Sequence, residues 1–397
     1  MVSYIKHNEV TYMKFEKFVS HGRNLITTPG FADLHVHFRE PGFSYKETIK
    51  TGSLAAASAG YTHVCTMPNL SPAPDSAENI GKQLDIIKKD AVIGVIPYSC
   101  ITEKRLGEKI VDFDEMVKYT RLFSDDGSGV QNDTVTLEAM EKCASVGGIF
   151  AAHCEVNSLL NGGYIHDGEY ARKNGHLGIC SASEYEMIER DISLVRKTGC
   201  RYHVCHISAS ESVELIRRAK AEGLPVTCET GPHYLTLCDS DLKDEGRYKM
   251  NPPLRSESDK NALIEGIIDG TIDVIATDHA PHSADEKSKG LKGSAMGITG
   301  LETAFPVLYT FLVKKDIITL EKLIELMSVN PKKILGIPLD EENYSVIDLD
   351  AEYTVDSSKF ISMGKATPFD GMKVYGKNIL TVYNGKTIWE EKISDNT

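Results

Sequence analysis

The chain has 397 residues, 41% of them hydrophobic and 25% charged, ordinary for a soluble globular protein and more than one small domain needs. A net charge of −13 and a pI near 5.5 argue against a nucleic-acid or anionic-membrane surface, while leaving room for a locally cationic pocket. No stretch approaches the roughly 20 apolar residues of a membrane span, and the N-terminus has no signal-peptide core, so a cytoplasmic protein is expected. Nine cysteines, none in Cys-x-x-Cys spacing, sit mostly in apolar runs and read as reduced, buried thiols.

Residues 1–28 carry two short strand patterns, Thr11–Phe15 and Phe18–Ser20. Strand and helix patterns then alternate. Strands are expected at Phe31–Phe38, Thr62–Met67, Ala91–Ser99, Arg121–Ser124, Gly148–His153, Arg201–His206, Pro225–Glu229 and Thr271–Thr277. Helices are expected at Tyr45–Ala59, Ala77–Lys89, Leu137–Ser145, Ser183–Thr198, Glu211–Ala221 and Asp259–Asp269, with Ser44, Asp75, Asn132, Ser208 and Ser258 as caps or near-caps. Eight such repeats predict an α/β fold, a TIM-type (β/α)8 barrel with its active site at the C-terminal ends of the strands. An open doubly wound sheet is the alternative, but it gives no reason for eight units.

Past the barrel, Leu320–Met327 reads as helix, and Val346–Leu349, Tyr353–Val355, Leu380–Tyr383 and Lys386–Glu390 read as short strands. Asn384-Gly385 marks a hairpin turn. A small β subdomain built from both termini is expected, residues 1–28 with 335–397, around a barrel of residues 29–334. Its N-terminal part is short.

Metal-capable residues close one expected strand after another. On Phe31–Phe38 the alternation puts Asp33, His35 and His37 on one face. Alone, this His-x-His is equally a pair of structural histidines. Yet Asp125-Asp126-Gly127, His153, His206 and Asp278-His279-Ala-Pro-His282 end four further strands, and strand ends converge in a barrel. Four histidines and two carboxylates exceed one tetrahedral zinc; they suit two divalent ions sharing a carboxylate, roughly 3.5–4 Å apart. His203 and His206 face opposite ways on a strand, and His206, nearer the strand end, is favoured. Only one of Asp125 and Asp126 should point inward, and spacing alone does not choose between them.

Asp33-Leu-His-Val-His-Phe-Arg-Glu-Pro-Gly42, Met67-Pro-Asn69, Asp125-Asp126-Gly-Ser-Gly-Val-Gln131, Ala152-His153-Cys-Glu155, His203-Val-Cys-His-Ile-Ser208, Lys249-Met-Asn-Pro-Pro-Leu-Arg255 and Ala276-Thr-Asp-His-Ala-Pro-His282 together resemble the motifs of class I bacterial dihydroorotases, in the amidohydrolase superfamily. The resemblance runs from about Pro29 to the C-terminus. It implies reversible closure of N-carbamoyl-L-aspartate to L-dihydroorotate, a step of de novo pyrimidine (UMP) biosynthesis. It implies two zinc ions, one held by His35, His37 and Asp278 and one by His153 and His206, with Asp126 as the bridge and Asp125 in support. Asp278 becomes the catalytic proton shuttle.

By the same resemblance the substrate-binding residues are His37, Arg39, Asn69, Asn251, His282, Met296 and Gly297. Arg39 offers a planar fork for a carboxylate, and Met296 stands where relatives often have Phe. A homodimer is implied, and association with other pyrimidine-pathway enzymes is compatible. The polar run between His282 and Gly297 reads as a lid or as a solvated loop. A hydantoinase or allantoinase would share the metal motifs but is not expected to carry Phe38-Arg39-Glu40 or Met250-Asn-Pro-Pro-Leu-Arg255. A non-catalytic scaffolding relative would have lost ligands, and here every ligand position is filled.

Overall fold

A computed structural model describes residues 3–7, 10–14, 16–20 and 22–391. The strands are β1 (Ser3–His7), β2 (Val10–Lys14), β3 (Glu16–Ser20), β4 (Arg23–Pro29), β5 (Phe31–Val36), β6 (Tyr61–Thr66), β7 (Gly94–Pro97), β8 (Leu122–Ser124) and β9 (Ile149–Ala152). They continue as β10 (Ile165–His166), β11 (Gly178–Ile179), β12 (Arg201–Val204), β13 (Val226–Thr230), β14 (Val274–Ile275), β15 (Tyr344–Thr354), β16 (Lys373–Tyr383) and β17 (Lys386–Glu390). Phe15 and residues 392–397, which the expected elements included, lie outside the described residues.

Eight strands form the TIM-type (β/α)8 barrel: β5, β6 and β7 in one parallel run and β8, β9, β12, β13 and β14 in the other. The runs join through two parallel bridges, Ser99 with Phe123 and Val36 with His279. Every residue of β5 is buried, as expected for a strand covered by the barrel interior on one face and helices on the other. The interior is filled by Leu34, Cys65, Met67, Leu122, Ile149, Val274 and their neighbours, and Ile334 and Leu335 pack against this cluster.

The eighth strand is shorter than Thr271–Thr277, for a visible reason. The Thr277 N–H is taken by the Asp33 carboxylate, at 3.2 Å to Oδ1 and 3.1 Å to Oδ2, and Asp278 turns to φ +47°. Extended backbone ends there. The same Asp33 oxygen accepts from the His35 N–H at 2.9 Å, so one buried carboxylate ties the first strand to the last.

Several boundaries move with the caps. The first helix is Ile49–Ser58, capped by Thr48 in a reciprocal pair with Thr51, so Ser44 caps nothing. Ser76 rather than Asp75 caps Ala77–Asp90, and Ser256 rather than Ser258 caps Glu257–Asp269 through Asp259. Ser208 does not cap Ser210–Ala221, because its hydroxyl goes to Glu184 instead. Asn132 caps as expected, and its helix begins at Asp133, before Leu137.

A five-stranded antiparallel sheet of order β17-β16-β15-β4-β3 combines the two ends of the chain. The two strands expected within 346–355 are one strand, β15, with irregular register against β16. Asn384 at φ +50° and Gly385 at φ +71° make the tight turn between β16 and β17. All nine cysteines are free and only Cys180 is not buried. Among the described residues, no helix is long and apolar enough to cross a membrane.

One close approach sets where the first active-site loop leaves the barrel. Phe38, fully buried, lies against the helix Ile49–Ser58 at Gly52, where an added Cβ would stand 2.5 Å from the ring. On an exposed helix, Gly→Ala stabilises by about 1 kcal/mol. Here overpacking should reverse the sign, so Gly52→Ala should destabilise by roughly 1–3 kcal/mol and lower the thermal midpoint. A midpoint equal to or above that of the parent chain would contradict this packing.

Candidate metal centre and its pocket

His35 lies on β5 and His37 follows it; Asp126 follows β8, His153 follows β9, His206 follows β12 and Asp278 follows β14. All six are buried. The strand ends bring them together around Asp126. His35 Nε2 is 3.3 Å and His206 Nε2 3.5 Å from Asp126 Oδ1, and His153 Nδ1 is 3.7 Å from it. His37 Nε2 lies 3.7 Å from Asp126 Oδ2. Asp278 Oδ1 completes one side, 3.0 Å from His37 Nε2 and 3.5 Å from His35 Nε2. His153 Nδ1 and His206 Nε2 face each other at 3.0 Å on the other.

These separations fit metal ligands. Bonds of about 2.0–2.2 Å in tetrahedral geometry put donor atoms roughly 3.4 Å apart, the middle of the range seen here. His35 Nε2 and Asp126 Oδ1 are buried without a hydrogen-bond partner and point at one another, a costly arrangement unless a cation satisfies both. Among the described residues three overlapping triads are dense enough to hold an ion, all sharing His35: with His37 and Asp278, with Asp126 and His206, and with Cys205 and Glu229. Burial disfavours a charged His35, yet the Asp126 and Glu229 carboxylates outweigh it and lift its pKa well above the usual imidazole value. Burial likewise pushes the Asp278 carboxyl up, but His35 and His37 hold it near 2. His37 goes the other way from His35, pressed down to about 4 by burial and by the Arg39 charge.

The supporting contacts orient these ligands. Glu229 at the end of β13 accepts from His35 Nδ1–H at 2.7 Å, which fixes the tautomer and turns Nε2 toward Asp126. Its other oxygen lies 3.1 Å from His203 Nε2, whose Nδ1 meets Thr227 Oγ1 at 2.8 Å. His203 is therefore outside the cluster. Of the aspartate pair, Asp126 enters the pocket, while Asp125 accepts from the Ile101 N–H at 2.8 Å and the Thr102 N–H at 3.1 Å. His206 and Asp278 both have positive φ, +32° and +47°. Non-glycine residues avoid that region, and such strain gathers where side chains must be aimed.

The residues expected on the substrate side form a second group beside the first. Arg39 is buried, and its Nε–H donates to the Pro281 carbonyl at 3.3 Å. His282 Nε2–H donates to the Met296 carbonyl at 2.8 Å, and its Nδ1 meets Lys46 Nζ at 3.3 Å. Burial and the charges of Arg39 and Lys46 press His282 down to about 3, so it stays neutral. Gly297 has φ +130°, and a Cβ there would stand 2.7 Å from the Ala280 carbonyl oxygen, so only glycine fits. Asn69 joins through Asp126, donating from Nδ2 to its backbone carbonyl at 2.9 Å and to Oδ2 at 3.1 Å. Asn251 Nδ2 donates to Glu155 Oε1 at 2.8 Å, and its buried Oδ1 has no partner.

Sequence reasoning passed over Glu229, Glu155, Arg105 and Lys287. Two had a readable signal. Glu229 ends the seventh expected strand, at the barrel face where function gathers, and Glu155 stands two residues past His153 in an already noted motif. Arg105, which donates to the Asp126 carbonyl at 2.7 Å, comes from a loop with no motif at all.

A dihydro-orotase-like family model matches residues 23–212. The dihydroorotase of Fusobacterium nucleatum is 50% identical over 377 residues, 93% of this chain and 89% of that protein. The dihydroorotase of Geobacillus sp. (strain WCH70) is 47% identical over 374 residues, 92% of this chain and 88% of its own length. Among solved structures, an L-hydantoinase (dihydropyrimidinase) from Arthrobacter aurescens superposes with a TM-score of 0.83 at 27% identity, covering 93% of this chain and 86% of that one. A D-hydantoinase from Bacillus sp. AR9, at 20% identity and a TM-score of 0.81, covers 97% of this chain and 93% of that one and shares the fold. With identity at this level along nearly its whole length, the chain belongs to the dihydroorotase family.

Proposed function

We propose that this chain is a dihydroorotase, a cyclic-amide hydrolase that interconverts N-carbamoyl-L-aspartate and L-dihydroorotate in pyrimidine synthesis. The observation that carries the reading is the meeting of four histidines and two aspartates about Asp126, in a chain half identical to a dihydroorotase over most of its length. In this reading residues 29–334 are the catalytic unit and the two chain ends form its supporting β subdomain. His35, His37 and Asp278, one of the dense triads, would hold one zinc ion. His153 and His206, facing each other beside Asp126, would hold a second, and Asp126 would serve both. When bound, such a pair supplies a water acidic enough to ionise near neutral pH and polarises the scissile carbonyl.

The chain's own residues do the rest. The Asp278 carboxylate accepts the proton released in ring opening. It passes that proton to the departing ring nitrogen, and ring closure runs in reverse. Arg39 and His282, with Asn69 nearby, orient the substrate carboxylate, and Asn251 offers its unpartnered Oδ1 to a ring N–H. Of these groups Arg39 is buried and Asn69, Asn251 and His282 are half-buried.

The test pairs a metal count with assays on three substrates. The isolated protein should carry about two zinc ions per chain, close carbamoyl aspartate to dihydroorotate, and leave hydantoin and allantoin nearly untouched. Activity confined to hydantoin would replace this reading with its hydantoinase neighbour. Asp278→Ala should keep part of its metal yet lose roughly 10²–10⁴-fold in turnover in both directions; near-normal turnover removes Asp278 from proton transfer. Glu229→Gln should weaken metal retention or activity roughly 10–100-fold, measured by chelator competition. Unaltered retention with full activity would mean that Glu229 does not orient His35.

A further inference from the structure

The segment between His282 and Gly297 is neither an open loop nor loosely held. It folds into two short helical turns, Ala284–Lys287 and Gly290–Gly293, and buries Lys287 and Leu291. Lys287 carries the fastening. Its Nζ donates to the carbonyls of Lys249 at 3.0 Å, Ala295 at 2.8 Å and Gly297 at 2.6 Å, and so spends all three of its protons. No carboxylate pairs with this ammonium in those contacts. Its partners are backbone oxygens from two separate stretches of chain, one leading into Asn251 and the other holding Met296 and Gly297.

We propose that Lys287 is a positioning residue of the substrate pocket: its ammonium sets the separation between the Asn251 loop and the Met296–Gly297 loop. The inference rests on the dihydroorotase reading of that pocket and deepens it. Neighbouring contacts make the setting rigid. The Gly297 N–H donates to the same Lys249 carbonyl at 3.1 Å, closing the two loops on one another. Lys249 returns the contact by donating from Nζ to the Lys292 carbonyl at 3.1 Å. On the far side, the Asn251 loop is held where Tyr234 Oη donates to the Pro252 carbonyl at 2.6 Å.

Glu286, the residue before Lys287, works in the opposite direction. It caps its own turn through Ser283 and pairs with Lys46 at 2.8 Å, and Lys46 in turn reaches His282 Nδ1. Consecutive side chains thus anchor the two rims of one pocket. As an ammonium Lys287 is a stronger donor to carbonyls than a neutral amine. Burial and the nearby Lys249 charge push its pKa down to about 7, so the fastening weakens as pH rises. Removing Lys287 frees the Ala295 and Gly297 carbonyls and leaves the Gly297 N–H to Lys249 carbonyl bond alone to hold the two loops at their separation.

The experiment compares Lys287→Met and Lys287→Gln with the parent for dihydroorotate hydrolysis and metal content. The control is Lys289→Met, whose side chain is half exposed and pairs only with Asp285 on the surface. Lys287→Met should raise KM at least about tenfold with kcat within roughly threefold and metal content unchanged, a loss of positioning rather than of chemistry. Lys287→Gln, with two of three donors, should fall between, and it carries the test if the Met variant does not fold. Lys289→Met should match the parent. Parental KM in both Lys287 variants, or a fall in kcat with KM unchanged, overturns the proposal. A parent chain inactive on both dihydroorotate and carbamoyl aspartate overturns the functional reading instead, and the pocket with it.

Discussion

The constraint on which the rest depends is the convergence of five strand ends, those of β5, β8, β9, β12 and β14, about the Asp126 carboxylate. Four imidazoles approach its two oxygens to within 3.3–3.7 Å, from strands far apart in the chain. A parallel barrel brings those ends to one mouth without further instruction, because every strand runs the same way around a closed ring. What the barrel does not supply is orientation. That comes from buried partners: Glu229 turning His35, Asp33 joining the first strand to the last, and Asn69 and Arg105 fixing the Asp126 backbone.

The same cluster is poor local structure by ordinary measures. His206 and Asp278 have positive φ, and His35 Nε2 and Asp126 Oδ1 are buried without hydrogen-bond partners. Each feature costs folding free energy, on the order of 1–3 kcal/mol. A well-packed interior of Leu34, Met67, Leu122, Ile149 and Val274 directly beneath the mouth holds such a site in place. A bound cation would satisfy both orphaned atoms at once.

Much of this was legible in the sequence, and particular residues show where legibility stopped. Short apolar runs set between helical periods marked all eight barrel strands, because a strand buried on both faces carries its signal in composition rather than in alternation. Strand ends marked His35, His37, His153 and His206 as candidates, whereas Asp126 over Asp125, and Asp278 among its neighbours, came only from the resemblance; the structure brings all six side chains together. Capping failed where the helix began later or earlier than expected: Thr48 with Thr51 caps Ile49–Ser58 while Glu47, three residues after Ser44, goes to Thr51 and Ser362, and Ser256 with Asp259 caps Glu257–Asp269. The eighth strand's extent was hidden because its end is set by Asp33, distant by more than 240 residues. Lys287 could not be found at all, since its meaning lies in three backbone oxygens that no pattern announces.

Anomalous X-ray scattering at the zinc edge, from crystals of the protein as purified, tests the central claim most directly. Two peaks roughly 3.5–4 Å apart should flank the Asp126 carboxylate, one against His35, His37 and Asp278 and the other against His153 and His206. A single peak away from Asp126, or metal bound elsewhere with this cluster filled by hydrogen-bonded water, would contradict the account.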